Sequence, residues 1–195
     1  MHVSGVVLSG GKSTRMGKTK SLLDLNGRPV ISHVTDEMEA FCDDTAVITN
    51  DPAAYQFLGF DLYQDRYKEK GPLAGIETAI QHIDADVYVM AACDTPFIHR
   101  AVYHHLIESL GYADAVIPIY NDRMHPLSGI YTKHVLSPIQ NLLDENERKI
   151  RTLFNAISVN YMTNFSGISE DVLNKHFFNM NYPEQYEMAK RKTIR

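Results

Sequence analysis

Twelve residues near the amino terminus, Ser9 to Lys20, hold three glycines and four cations: Lys12, Arg15, Lys18 and Lys20. Gly10 and Gly11 can adopt backbone conformations closed to other residues, which would let successive N–H groups converge on an anion. Arg15 adds a forked donor suited to phosphate oxygens, and Lys20 a compact charge. The chemistry this suggests is phosphate binding. The letters GGKST look like the end of a P-loop, but that motif needs a glycine five positions before the glycine of its Gly-Lys pair. Counting back from Gly11 reaches Val6, and the nearest glycine, Gly5, is one residue off. A solvated basic turn is the plain alternative. Gly-Gly directly after an apolar run, with Arg and Lys following, favours the phosphate reading.

Three further stretches carry candidates. Asp94 follows the apolar run VYVMAA, residues 87–92. A carboxylate just past a buried strand suits Mg²⁺, which keeps several waters and needs few protein ligands. Asp94 could equally cap a helix starting near Pro96 or His99. Asp65 stands at the end of a short strand pattern, as a turn residue or a ligand contact, and Gly71-Pro72 opens a helix whose free N–H groups could face an anion. His125, in HPLSG, is a core histidine or a site residue, and its neighbours leave both open. His99, His104 and His105 fall on or near an amphipathic helix and read as surface residues.

The elements that must position these groups alternate. VVL (6–8), AVIT (46–49), FDLY (60–63), VYVMAA (87–92) and AVIPIY (115–120) read as strands. Their near-continuous apolar character is that of parallel strands covered on both faces. Helical spacing joins Ile31, Val34, Met38 and Phe41 after Pro29. It also joins Ile76, Ala79, Ile80 and Ile83 after Pro72; Val102, Leu106, Ile107 and Leu110; and Val135, Ile139, Leu142 and Leu143. Strand–helix alternation predicts a three-layer α/β/α fold with a mostly parallel, Rossmann-like sheet. In such a sheet ligands bind beyond the carboxyl ends of the strands, where the loops above begin. The chain reads as one domain, 1–195, with a nucleotide-binding half, 1–120, and an acceptor-binding and closing half, 121–195. Beyond about residue 150 the pattern is less regular, and the end KRKTIR reads as a solvated tail.

Composition bounds the partners. The chain has 195 residues, 44% hydrophobic and 22% charged, an ordinary balance for a soluble domain. Lys and Arg number 19 against 24 Asp and Glu, a net charge of −5, which offers no broad attraction to nucleic acid or an anionic membrane. No apolar run reaches the roughly 18 residues of a membrane span, and the first residues lack a secretory pattern. Cys42 and Cys93 lack metal-ligand spacing and read as reduced thiols of a cytoplasmic protein.

Taken together, LSGGKSTRMG, Lys20, GPLAGI, CDTPF, HPLSGIY and NMNYP resemble the nucleotidyltransferases of molybdenum cofactor synthesis, above all the guanylyltransferases. The resemblance runs from Leu8 to Pro183. It implies that Leu8, Ser9, Gly10 and Gly11 line the nucleotide, that Lys20 and Asp65 contact GTP, and that Asp94 holds Mg²⁺ beside it. It implies that Asn179 and Asn181 meet the pterin, and that Arg15, Lys20 and Asp94 are the catalytic residues. The partners it implies are GTP and molybdopterin, with molybdenum-insertion and molybdoenzyme chaperone proteins beyond them. The activity implied is GMP transfer from GTP to the terminal phosphate of molybdopterin, releasing pyrophosphate. A cytidylyltransferase acting on molybdopterin or an isoprenoid precursor is the alternative, and a non-catalytic GTP-binding accessory protein a third. Two positions depart from the family pattern: Thr19, where Asp or Pro is usual, and Tyr182, where Thr is usual.

Overall fold

The structure is a computed structural model describing residues 1–10 and 19–193. Gly11 and Arg15, like Lys12 and Lys18, therefore lie outside the described residues.

β1 (Val3–Ser9) lies inside the sheet, parallel to β4 (Asp44–Thr49) on one side and β6 (Val87–Ala92) on the other. Its alternate residues face opposite layers: Val6 and Leu8 enter one apolar core, Val7 the other. Both faces are covered, so the strand needs apolar residues at successive positions rather than every second one. β5 (Asp61–Tyr63) extends the parallel run beyond β4.

Helices fill the two layers as their spacing predicts. α1 (Val30–Glu39) and α3 (Arg100–Glu108) bury Ile31, Val34, Met38, Val102 and Leu106 in one core. α2 (Pro72–His82) and α4 (Leu136–Asp144) bury Leu73, Ile76, Ala79, Ile139 and Leu143 in the other. α2 starts at Pro72, whose missing N–H costs nothing in a first turn.

The other half of the sheet departs from simple alternation. β7 (Ala115–Tyr120) does not pair with β6; β9 (Ile130–Thr132) lies between them, antiparallel to both. β8 (Arg123–Met124) forms a short antiparallel pair with β7, and β10 (Val159–Met162) adds a parallel edge strand. The order is β10-β7-β9-β6-β1-β4-β5. β9 is only three residues long and follows a 3₁₀ turn, so no periodicity announces it. Gly129, just before it, shows what the insertion demands: a Cβ there would lie 2.8 Å from the Val116 carbonyl oxygen.

The irregular end is more ordered than its pattern suggests. α5 (Ile150–Leu153), α6 (Glu170–His176) and α7 (Pro183–Thr193) follow one another, with β10 between α5 and α6. α7 packs over the β2–β3 ribbon (Asp24–Leu25, Arg28–Pro29) through a small core of Leu25, Val30, Met180 and Ala189. The tail reading of KRKTIR is thereby corrected: Lys190 to Lys192 are the last turn of α7, and Lys190 bonds Glu187 at 2.9 Å. A basic last turn complements the negative end of the helix dipole. No helix among the described residues is long and apolar enough to cross a membrane.

Candidate active site

The carboxyl ends of β1, β4, β5 and β6 open along one edge of the sheet, and the candidates collect there on two flanks. Leu8 is buried at the end of β1, and its carbonyl accepts the Cys93 N–H at 3.1 Å, tying the first loop to the Asp94 loop. Ser9 follows, and its hydroxyl donates to the Tyr55 hydroxyl at 2.8 Å. Ser21 reaches the same Tyr55 oxygen at 2.7 Å, so one buried phenol clasps both ends of the basic loop. Gly10 is exposed beyond the strand.

On the β4–β5 flank, Asp65 lies past β5, and its Oδ2 accepts from the Asn50 side-chain amide at 2.8 Å. Its Oδ1 is buried without a partner. Burial pushes the carboxyl above the ordinary carboxylate value; Asn50 opposes this and Glu77 adds to it. Gly75 of α2 brings this flank together. A Cβ there would stand 3.0 Å from Leu8 Cδ2 and 3.8 Å from Asp65 Oδ1. The glycine therefore lets α2 approach Leu8 closely, with Asp65 at ordinary contact distance.

On the β6 flank, Lys20 begins a 3₁₀ turn (Lys20–Leu22), and its Nζ donates to Asn181 Oδ1 at 3.2 Å. Asp94 follows β6. Burial pushes its carboxyl above the usual carboxylate value, against the charge of Lys20 and a hydrogen bond that the carboxylate accepts from its own backbone N–H. Its carbonyl accepts the Met180 N–H at 3.0 Å, so the Asn179–Asn181 segment is pinned against the Asp94 loop. Asp94, Asn179 and Asn181 line one cavity of about 340 Å³, and His125 joins them there. The cap reading of Asp94 does not hold: α3 is capped by His99, whose side chain accepts from the Ala101 N–H at 3.1 Å.

The expected histidine placement holds for His99 and His104, which are exposed, while His105 is half-buried and bonds the Asn164 carbonyl at 2.8 Å. Both thiols are free. Burial is the main cause that pushes Cys42 to about 12 and Cys93 to about 11, too high for either to be a nucleophile near neutral pH.

Two further residues of this edge join the site, Asn50 and Tyr55. Asn50 directly follows β4, and the carboxyl-end rule that selects Asp65 and Asp94 selects it too. Tyr55 gives no such clue, because only the fold brings its hydroxyl to Ser9 and Ser21. The structure also explains the departure at Tyr182. Thr before the Pro of a first turn would cap α7 with its hydroxyl. Here Gln185 Oε1 accepts the Asn181 and Tyr182 N–H groups at 2.6 and 3.0 Å, which keeps the other half of a capping box.

A mostly parallel sheet between two helical layers, with these polar groups at its carboxyl edge, is the architecture that solved nucleotidyltransferase structures share. The solved structure of molybdopterin-guanine dinucleotide biosynthesis protein A from Archaeoglobus fulgidus has the same architecture, with a TM-score of 0.84 and 27% identity over 98% of each chain. The chain belongs to the MobA-like NTP transferase family, whose domain model matches residues 5–160. Among curated relatives, a probable molybdenum cofactor guanylyltransferase of Halalkalibacterium halodurans is 35% identical, covering 92% of this chain and 93% of its own. One from Carboxydothermus hydrogenoformans is 31% identical, covering 95% of this chain and 94% of its own.

Proposed function

We propose that this chain transfers GMP from GTP to the terminal phosphate of molybdopterin, forming molybdopterin guanine dinucleotide. A phosphate oxygen of the acceptor attacks the α-phosphorus of GTP. A new P–O bond forms, the bond to the β-phosphate's bridging oxygen breaks, and pyrophosphate leaves. The nucleophile is already anionic near neutral pH, so no general base is required. The obstacle is electrostatic, because two multiply charged anions must meet in line, and positioning with charge neutralisation supplies the catalysis.

The observation that carries this reading is the Lys20–Asn181 contact at 3.2 Å, between residues 161 apart in sequence. A lysine expected at the triphosphate and an asparagine expected at the acceptor meet beside Asp94. In the proposal residues 1–120 supply the nucleotide side and residues 121–195 the acceptor side. Leu8, Ser9, Gly10 and Asp65 border the nucleotide. Lys20, with Arg15 and the Gly11 amide from outside the described residues, stabilises charge on the phosphates.

Asp94 fits Mg²⁺. It is a hard oxygen donor whose burial is only partly offset by Lys20, so a cation beside it would relieve the cost of keeping it ionised. Mg²⁺ needs few protein ligands, so Asp94 with water and phosphate oxygens would complete its shell. Bound there, Mg²⁺ would offset charge on the triphosphate and the leaving pyrophosphate.

Pyrophosphate release is the test, measured with molybdopterin and each of GTP, CTP, ATP and UTP in turn, with and without Mg²⁺. Release with GTP, and a guanylylated pterin as product, is the expected result. Release with CTP alone would replace the guanylyl reading by the cytidylyl one. Tight GTP binding with no product would leave a binding protein.

A further inference from the structure

Tyr55 sits in the turn Pro52–Leu58 after β4, and its ring lies in the apolar core that holds Val7 and Val47. A phenylalanine ring would fill the same space. The hydroxyl is the difference, and a buried hydroxyl costs free energy unless it is paired. Its partners are the Ser9 hydroxyl at 2.8 Å and the Ser21 hydroxyl at 2.7 Å. Both serines also hydrogen-bond the Cys93 side chain, against the effect of its burial.

One order of protons satisfies all four groups. Ser9 donates to Tyr55, Tyr55 to Ser21, Ser21 to the Cys93 sulfur, and the thiol back to Ser9. Each group then donates once and accepts once. A closed set of this kind is worth more than its separate pairs, and it fixes the spacing of the segments that carry it.

Those segments carry the proposed chemistry. Ser21 directly follows Lys20, and Cys93 directly precedes Asp94. Lys20 stands on a 3₁₀ turn of three residues with no side-chain cap, a form whose own hydrogen bonds are poorly aligned. The buried Ser21 side chain anchors that turn to Tyr55. The Asp94 loop is tied to the same place, because the Cys93 N–H donates to the Leu8 carbonyl at 3.1 Å, next to Ser9. Tyr55 therefore joins the end of β1, the end of β6 and the Lys20 turn.

We infer that Tyr55 is a positioning residue: through Ser9, Ser21 and Cys93 its hydroxyl sets the separation of Lys20 and Asp94, so that both act on one triphosphate. In this role it touches neither substrate. The transfer step it serves rests on the guanylyl-transfer reading, whereas the spacing rests on the hydrogen bonds themselves.

The test is Tyr55→Phe in the full chain, which keeps the ring and removes the hydroxyl. GTP is titrated calorimetrically with and without Mg²⁺. Affinity for GTP with Mg²⁺ should fall roughly tenfold, the scale of one lost buried hydrogen bond. Affinity without Mg²⁺ should stay within about threefold, because Lys20 alone can follow the triphosphate on its flexible stem. A merely structural role would lower both alike. Turnover with molybdopterin should fall roughly a hundredfold in kcat/KM, the usual cost of misplaced reacting groups. Ser21→Ala should give the same split, and it serves should Tyr55→Phe fail to fold. The double variant should be no weaker than the weaker single one, since both remove one shared link. Equal loss with and without Mg²⁺, unchanged affinity in Tyr55→Phe, an additive double variant, or no gain from Mg²⁺ in the wild type would each overturn the inference. If the split appears but the wild type forms no guanylylated product, the activity reading fails and the positioning role stands. If product forms and Tyr55→Phe turns over like the wild type, the reverse holds.

Discussion

The two flanks of the sheet edge are built differently. On the β4–β5 flank the groups sit just past consecutive parallel strands, and α2 closes on them where Gly75 removes a Cβ. The polar contact there spans a short stretch of chain, from Asn50 to Asp65. The β6 flank is assembled from far apart: Lys20 meets Asn181, and Met180 meets Asp94. Yet both flanks hold one carboxylate that burial pushes above its ordinary range, Asp65 on one and Asp94 on the other. Local construction suits a pocket that a repeated βα unit can make alone. Long-range construction suits one that must place a second substrate against the first.

Asp94→Asn is the sharpest way to break the comparison. Transfer should fall roughly a thousandfold, the upper range for loss of one preorganised electrostatic group. Stability should move the other way. A carboxyl whose folded pKa is raised binds its proton more tightly folded than unfolded. Its ionisation therefore lowers stability as pH rises from the ordinary carboxylate value through the raised one. Removing that ionisation should leave the melting temperature near pH 7 unchanged or higher, as calorimetry would show. A large fall in melting temperature would make Asp94 structural. Lys20→Met comes next, with roughly a hundredfold loss in kcat/KM for GTP; an unaltered value would detach Lys20 from the triphosphate.

Gly129→Ala probes what the inserted strand demands. The added carbon meets backbone at 2.8 Å, which cannot swing away as a side chain can. A cost of about 2 kcal/mol is expected, or a drop of roughly 4–8 °C in melting temperature for a chain of this size. Wild-type melting would mean that β9 tolerates displacement. The smallest effect is expected for Tyr182→Thr. Returning a hydroxyl to the start of α7 should stabilise the protein by about 1 kcal/mol, read as a small shift in denaturant midpoint. Destabilisation would show that the exposed Tyr182 ring contributes more than the cap it displaces.

Much of the fold was legible because both-face burial writes itself into strand composition and amphipathic spacing into helices. VYVMAA and the Ile76–Ile83 stripe became β6 and α2 with almost the expected bounds. β9 and β10 were not legible, being three and four residues long. β5 is as short but was read from its place in the strand–helix alternation, which β9 and β10 break. Within the site, Asp65 and Asp94 were found because each follows a strand, and Asn50 could have been found the same way. Tyr55 could not.

The sequence by itself determined the mostly parallel sheet and the places of Asp65 and Asp94 just past strands at its carboxyl edge, because these depend on residues close together in the chain. Only the tertiary structure decided that β9 enters between β6 and β7, that one phenol clasps Ser9 and Ser21, and that Asp94, His125 and Asn179 line one cavity. Those contacts join segments whose separation leaves no periodic or local trace. They form because packing on both faces of the sheet fixes where each distant loop must return.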